Sequence, residues 1–189
     1  MGTSAKRGPD EVTTGPTIAH LPATGSDLPA GTRGPVRLSL QEQLDLAIRV
    51  EKVAAQIYAV LAQRFGDSPE EHAMFSRLEQ EELQHALRIE MLGTVLARRP
   101  ELQFEPVLDV RRMTQALRDG EDVALLVADP TRSMTVSQAR RMAAALELKF
   151  SSVHAEQLTT VSEPSLHELF SVFVAQDKEH AALLSRSKK

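Results

Sequence analysis

The 189-residue chain contains no cysteine, no tryptophan and a single tyrosine. The missing thiols exclude disulfides, thiolate zinc sites and cysteine-ligated iron–sulfur clusters. An excess of positive charge is also missing, because the formal net charge is −4, and this argues against a nucleic-acid-binding protein. No apolar run reaches the roughly 20 residues of a membrane span, and the first residues lack the apolar core of a secretory signal. We therefore expect a cytoplasmic protein that binds neither membrane nor nucleic acid.

Residues 1–37 differ in composition from the rest of the chain. They hold half of the ten prolines and most of the nine glycines, and they show no apolar periodicity. This composition predicts a disordered tail. A docking segment for a partner protein is the functional alternative, although no motif names such a partner. We predict one folded domain over residues 38–185 and a short C-terminal tail over 186–189.

The domain carries four long stretches with apolar residues at helical spacing, and no stretch alternates as a strand does. They predict an all-α fold. The first predicted helix runs from a capping box at Ser39 to Gly66, and the second from Ser68-Pro69 to before Pro100. The third runs from Thr135 or Ser137 to about Leu158. The fourth starts at Ser162-Glu163-Pro164, with a further capping box at Ser165 and Glu168. In the connection between the second and third helices, Val107 to Leu117 and Val123 to Val127 are predicted to form short helical pieces.

Each of the four apolar faces is interrupted near its middle by acid or by acid and histidine. The interrupting residues are Glu51 in the first helix, Glu82 and His85 in the second, Glu147 in the third, and Asp177 and His180 in the fourth. Residues three apart share a helix face, so each acid-x-x-His pair could reach one centre. The chain therefore contains the same pattern twice, an acid followed by an acid-x-x-His pair.

The position of these acids relative to the turns is informative. Glu51 and Glu82 lie at equal distances on either side of the predicted turn at Gly66-Asp67, and Glu147 and Asp177 on either side of Ser162. In an antiparallel helical hairpin, such residues lie at the same height. We therefore expect all four carboxylates at the middle of the domain.

Four buried carboxylates at one height repel one another and each costs several kcal/mol to bury, unless protons or cations compensate them. Two divalent metals balance four carboxylates, and oxygen-rich ligands with one imidazole per metal suit iron or manganese better than zinc. On this hypothesis, Glu51→Ala should abolish metal binding without destabilising the metal-free protein. A structural network of buried ion pairs is the alternative, and it predicts the opposite for stability.

Other polar residues of the predicted helices allow more than one role. Tyr58 lies two turns after Glu51 on the same face, so it could donate to a metal-bound carboxylate or be an ordinary core tyrosine. His154 has the matching place after Glu147 and is more often a core histidine than a further ligand. The remaining histidines, His20, His72 and His167, are interpreted as ordinary polar positions.

At these residues the chain resembles the rubrerythrin branch of the ferritin-like superfamily, over residues 38 to about 185. The resemblance rests on AIRVEKVAAQIYAVL in the first helix, with its glutamate followed two turns later by tyrosine, and on FSRLEQEELQHA in the second. It implies a four-helix bundle of two helical hairpins with a long crossover between helices 2 and 3, and a non-haem di-iron centre. Carried over by position, the implied metal ligands are Glu51, Glu82, His85, Glu147, Asp177 and His180.

The chain also departs from the family pattern. It has no rubredoxin domain with four cysteines, so a peroxidase reaction needs an external electron donor. Phe150 stands where rubrerythrins carry a further glutamate, which brings the site closer to the simpler ferritin and bacterioferritin ligand set. Asp177 stands in place of glutamate and is one methylene shorter, so we expect one metal to be held more loosely or to shift.

The expected function is that of a di-iron oxidoreductase of the ferroxidase or peroxidase type, with two iron ions or manganese in their place. Its substrates would be Fe(II) with peroxide or dioxygen, and we expect a homo-oligomer. Glu51, Glu82, Glu147 and Tyr58 are the predicted catalytic residues, with Glu51 and Asp177 as terminal ligands and Glu82 and Glu147 as bridges. The alternatives are a non-catalytic metal-binding or metal-sensing bundle that recruits a partner through its N-terminal tail, and a scaffold with a relict site.

Overall fold

The computed structural model describes residues 38–102 and 107–186, and these residues form helices with no strand, as predicted. The predicted tails lie outside the described residues, apart from Arg186. The helices are α1 (Leu40–Arg64), α2 (Pro69–Leu96), α3 (Val110–Ala128), α4 (Val136–Thr160) and α5 (Pro164–Leu184), with a 3₁₀ turn at Pro100–Leu102. The four predicted long helices correspond to α1, α2, α4 and α5. None of the described helices is long and apolar enough to cross a membrane.

The starts of α1 and α5 agree with the sequence prediction, but one of the two caps predicted for α5 does not form. At α1, Ser39 and Glu42 form the predicted reciprocal capping box. At α5, the Glu163 carboxylate accepts the Leu166 backbone N–H at 2.9 Å, so Glu163 is the cap. Ser165 lies inside the helix rather than starting it, because Pro164 already begins the first turn. The predicted box of Ser165 and Glu168 is therefore wrong.

The connection between α2 and α4 contains one continuous helix, not two short pieces. Helix α3 is capped by Asp109, whose side chain accepts the Arg112 backbone N–H, and it continues through Gly120. A Cβ built on Gly120 would lie 2.6 Å from Val53 Cγ1, so the glycine lets α3 pack closely on α1. Gly120 lies in the gap between the two predicted pieces, and a glycine usually weakens a helix interior unless close packing requires it.

Contacts along α1 and α2 show that these two helices run in opposite directions. Three contacts follow one another along α1. Glu51 contacts His85 at 3.2 Å, the Tyr58 ring lies 6.4 Å from that of Phe75, and the Ala62 carbonyl oxygen lies 3.0 Å from His72 Nδ1. Positions on α2 therefore decrease as positions on α1 increase. This is the hairpin register that places Glu51 and Glu82 at the same height.

Helices α4 and α5 form a second antiparallel pair, joined by a short link at residues 161–163. Here the Ser151 hydroxyl donates to the Val174 carbonyl at 3.5 Å, and the His154 and Phe170 rings lie 5.7 Å apart. Polar side chains join this pair to the first one, since Tyr58 donates to Glu147. The core between the helices includes the fully buried Phe75, Phe150, Phe170 and Phe173.

Candidate metal centre

The acids and histidines singled out in the sequence lie together between α1, α2, α4 and α5. Apolar neighbours on each helix are buried in the core, and the same helical period carries these polar side chains inward with them. All are almost inaccessible to solvent, with exposed fractions of 1% for Glu51, Glu82, His85, Glu147 and Asp177 and 4% for His180. Such a concentration of buried ionisable groups needs internal partners or cations.

One group of candidate ligands consists of Glu51, Glu82 and His85. One ligand atom from each lies within 4.8 Å of the others. His85 Nδ1 is 3.2 Å from Glu51 Oε2 and also 3.2 Å from Glu82 Oε2. The group combines α1 with α2, so it is assembled within the first hairpin.

A second group consists of Glu82, Glu147 and His180, also with ligand atoms within 4.8 Å. His180 Nδ1 lies 3.0 Å from Glu82 Oε1 and 3.5 Å from Glu147 Oε2. Helices α2, α4 and α5 each supply one member. Glu82 belongs to both groups and presents a different oxygen to each histidine, so it lies between His85 and His180.

The second group leaves buried polar atoms without hydrogen-bond partners. Among the described residues, these atoms include Glu82 Oε1, Glu147 Oε2 and His180 Nδ1. His180 Nδ1 and Glu82 Oε1 are close enough for a hydrogen bond, but their angles do not make one. Buried polar atoms are rarely unpartnered, and each such atom carries a desolvation cost. Two carboxylate oxygens and an imidazole nitrogen that converge in this way fit a divalent metal ion.

Asp177 lies outside both groups, although it is in the predicted ligand set. Its Oδ2 is 2.8 Å from His154 Nδ1, and His154 Nε2 is 3.0 Å from Glu51 Oε1. His154 therefore joins Asp177 to Glu51 across the core. From the sequence, His154 could be a core histidine or a further ligand. In the structure it contacts Glu51 and Asp177 but belongs to neither group of candidate ligands.

Charge pairing within the site shifts the pKa values of its members strongly. Burial raises the pKa of the Glu51 carboxyl, but the His154 and His85 rings outweigh burial and lower it to about 2. Burial lowers the pKa of His85, but the Glu51 and Glu82 carboxylates raise it to about 10. Burial also opposes protonation of His154, yet the charges of Glu51 and Asp177 raise its pKa well above the usual value. The histidines thus compensate the acids.

Glu147 is the least compensated of these carboxyls. Burial raises its pKa to about 7, and the charges of Glu82 and Asp177 add to burial while His180 opposes it. The Tyr58 hydroxyl donates to Glu147 Oε1, and burial together with the Glu147 charge raises the pKa of Tyr58 well above 10. Tyr58 is therefore a donor to a candidate ligand, the first of the two roles considered from the sequence.

Two polar residues that sequence reasoning did not select contact the outer ring nitrogens of the histidines. Glu81 Oε2 lies 2.8 Å from His180 Nε2, and Gln176 Oε1 lies 2.9 Å from His85 Nε2. Each directly precedes the acid of an acid-x-x-His pair. That shared position was a usable signal, but which histidine each residue contacts depends on packing between α2 and α5.

The comparisons with known proteins add no family to this description. The chain matches no family model, no curated protein and no solved structure with which it was compared. The resemblance to rubrerythrins therefore stays a prediction that rests on the quoted motifs.

Proposed function

We propose that the protein is a non-haem di-iron protein of the ferritin-like type that oxidises Fe(II), reduces peroxide or dioxygen, or does both. In this proposal α1, α2, α4 and α5 form a four-helix bundle, and residues 97–134 are the crossover. Opposite directions within each helix pair and a long connection between the pairs support this topology. The proposal extends to the predicted ligand set, in which Glu51 and Asp177 are terminal and Glu82 and Glu147 bridge.

One observation carries the proposal, namely two Glu/His groups that share Glu82. A single Glu-x-x-His pair on a helix is common on protein surfaces. Here both pairs are buried, their histidines His85 and His180 both approach Glu82, and one of the groups contains three atoms that make no hydrogen bond. A purely structural network would be expected to add well-angled hydrogen bonds to the ion pairs of these atoms.

The donor set favours iron or manganese. Each group offers two carboxylates and one imidazole, which is richer in oxygen than structural zinc sites usually are. A bound pair of ferrous ions would supply two electrons together to a small oxidant. The chain's own residues would orient the ligands and exclude water: Tyr58 holds Glu147, and the Phe173 ring stacks on His85 with centroids 4.2 Å apart.

A non-catalytic metal-binding role is the second candidate, favoured by the depth of the site. Every predicted ligand is at most 4% exposed, so an organic substrate could not reach the ligands in this conformation. Dioxygen and peroxide are small enough to enter through local motion. The two candidates therefore differ in whether bound iron turns over with these oxidants.

The test is an anaerobic Fe(II) titration of the metal-free protein, followed by exposure to air or to peroxide. We expect two ions per chain by metal analysis, and repeated oxidation of added Fe(II) measured by absorbance. The variant Glu82→Ala should lose both positions because Glu82 belongs to both groups. His167→Ala is the matched control, since His167 is an exposed histidine on the same helix as His180.

The outcomes separate the candidates clearly. Two bound ions with continued turnover support the oxidoreductase. Two bound ions that are oxidised once or not at all support the metal-binding module. One tightly bound ion or none, or equal loss in Glu82→Ala and His167→Ala, contradicts the di-metal centre.

A further inference from the structure

The two histidines of the site are held by a reciprocal exchange between α2 and α5. Each turns Nδ1 toward the acids and Nε2 toward a polar side chain of the opposite helix. His180 on α5 contacts Glu81 on α2 at 2.8 Å, and His85 on α2 contacts Gln176 on α5 at 2.9 Å. Glu81 and Gln176 occupy equivalent places, directly before Glu82 and Asp177. The equivalent places therefore carry a carboxylate on one side and a neutral amide on the other.

This difference affects how strongly each imidazole binds a cation. An outer carboxylate that accepts the second ring N–H increases the electron density on the ligating nitrogen, and outer partners of this kind change metal affinity by about 10- to 100-fold. Gln176 is a weaker acceptor, and Arg88 also donates to its Oε1 at 3.1 Å. The Glu81 carboxylate is 29% exposed and pairs with Arg77 at 2.8 Å, which reduces its charge effect without removing the contact.

The inner contacts differ in the same direction. Glu82 Oε1, Glu147 Oε2 and His180 Nδ1 all belong to the His180 group and make no hydrogen bond. A cation there replaces only the ion pairs of His180 Nδ1 with Glu82 Oε1 at 3.0 Å and Glu147 Oε2 at 3.5 Å. At the other position, a cation must displace the hydrogen bond between His85 Nδ1 and Glu51 Oε2. Glu51 is also held by His154 through its other oxygen.

We propose that the two metal positions are unequal, with the His180 position the tighter one and the His85 position the weaker, exchangeable one, and that Glu81 and Gln176 help to set this difference as positioning residues. The inference rests on the proposed function, because it assigns an order of filling to the same site. In iron chemistry, a tight and an exchangeable position would let one ion stay resident while the other enters and leaves.

The experiment is a stepwise anaerobic Fe(II) titration of the full chain against a chelator of known affinity. The wild type should bind in two steps separated by at least about tenfold. Glu81→Gln should weaken the first step by about 10- to 100-fold and leave the second nearly unchanged. Gln176→Glu should tighten the second step, a gain that a merely structural role would not produce.

Ligand variants assign the steps to the positions. His180→Ala should remove the tight step, and His85→Ala the weak one. Glu90→Gln is the control for loss of one negative charge on α2, because Glu90 is exposed and belongs to neither group of candidate ligands, and it should bind as the wild type does.

Several results would overturn the inference. Two equal steps in the wild type, or loss of the weak step in His180→Ala, would remove the proposed order and leave the two-metal centre standing. Equal weakening by Glu81→Gln and Glu90→Gln would mean that net charge, not the contact with His180, sets the affinity. Absence of any Fe(II) binding by the wild type would overturn the proposed function as well.

Discussion

Glu51 is the residue for which the structure most changes the expected stability of the metal-free core. From the sequence, this acid was expected to be an uncompensated charge in the metal-free core. In the structure its two oxygens contact His85 at 3.2 Å and His154 at 3.0 Å. The metal-free site thus contains pairs of acid and imidazole, and its stability no longer distinguishes a metal site from a structural network. Metal binding itself must make that distinction.

The resulting prediction is that Glu51→Ala destabilises the metal-free protein by about 3–5 kcal/mol, because two buried imidazoles lose their partner. Urea unfolding of the metal-free wild type and variant measures this difference. Glu51→Gln is the matched control, since it keeps the size of the side chain and one carbonyl acceptor, and its loss should be smaller. A metal-free Glu51→Ala protein as stable as the wild type would contradict the pairing seen here and restore the expectation from the sequence.

At the scale of elements, the contact between α3 and α1 depends on a residue without a side chain. A Cβ on Gly120 would lie 2.6 Å from Val53 Cγ1 and 3.6 Å from Phe150 Cζ. Val53 is β-branched and cannot easily rotate away. Phe150 and Val53 lie one turn or less from Glu147 and Glu51, so the contact also supports the helices that carry the site.

We expect Gly120→Ala to destabilise the protein despite alanine's better helix propensity. The gain in propensity is about 1 kcal/mol, whereas overpacking a filled core costs about 1–3 kcal/mol. The net loss should therefore be about 1 kcal/mol in urea or thermal unfolding. In a Val53→Ala background, where the space is open, the same change should be neutral or stabilising. Equal effects of Gly120→Ala in both backgrounds would show that the contact does not limit packing.

At the scale of the whole molecule, all predicted ligands and both outer partners lie within residues 38–185. The residues that cap the N-terminus of α1 also lie within this range. The Ser39 hydroxyl accepts the Glu42 backbone N–H, the Ser39 backbone N–H donates to the Glu42 carboxylate, and the Gln43 side chain donates to the Leu38 carbonyl. Residues 1–37 supply no apolar periodicity with which to join a core. Folding and metal binding are therefore expected to be properties of the 38–185 segment.

Deletion of residues 1–35 should leave the melting temperature and the Fe(II) stoichiometry unchanged, because it removes none of the caps or ligands. Thermal unfolding and anaerobic Fe(II) titration of the truncated and full-length proteins measure both. A large fall in melting temperature after truncation would mean that the segment contributes to the folded domain, contrary to its composition.

Periodicity and turn position were enough to predict the all-helical class, the approximate bounds of four helices and the meeting of Glu51, Glu82, His85, Glu147 and His180. These features follow from local rules: a helical period sets which residues share a face, and a short link sets which residues share a height. Whether these residues bind iron is not decided by such rules, and that assignment stays a prediction.

Packing between helices far apart in the sequence decided the rest. The path of α3 through Gly120 depends on space beside Val53, and the place of His154 between Glu51 and Asp177 depends on how α4 is rotated against α1 and α5. The exchange of Glu81 and Gln176 between the two histidines depends on the approach of α2 to α5. A sequence period specifies the inward face of each helix by itself. The rotation and offset between helices come from side-chain packing, and only the tertiary structure shows them.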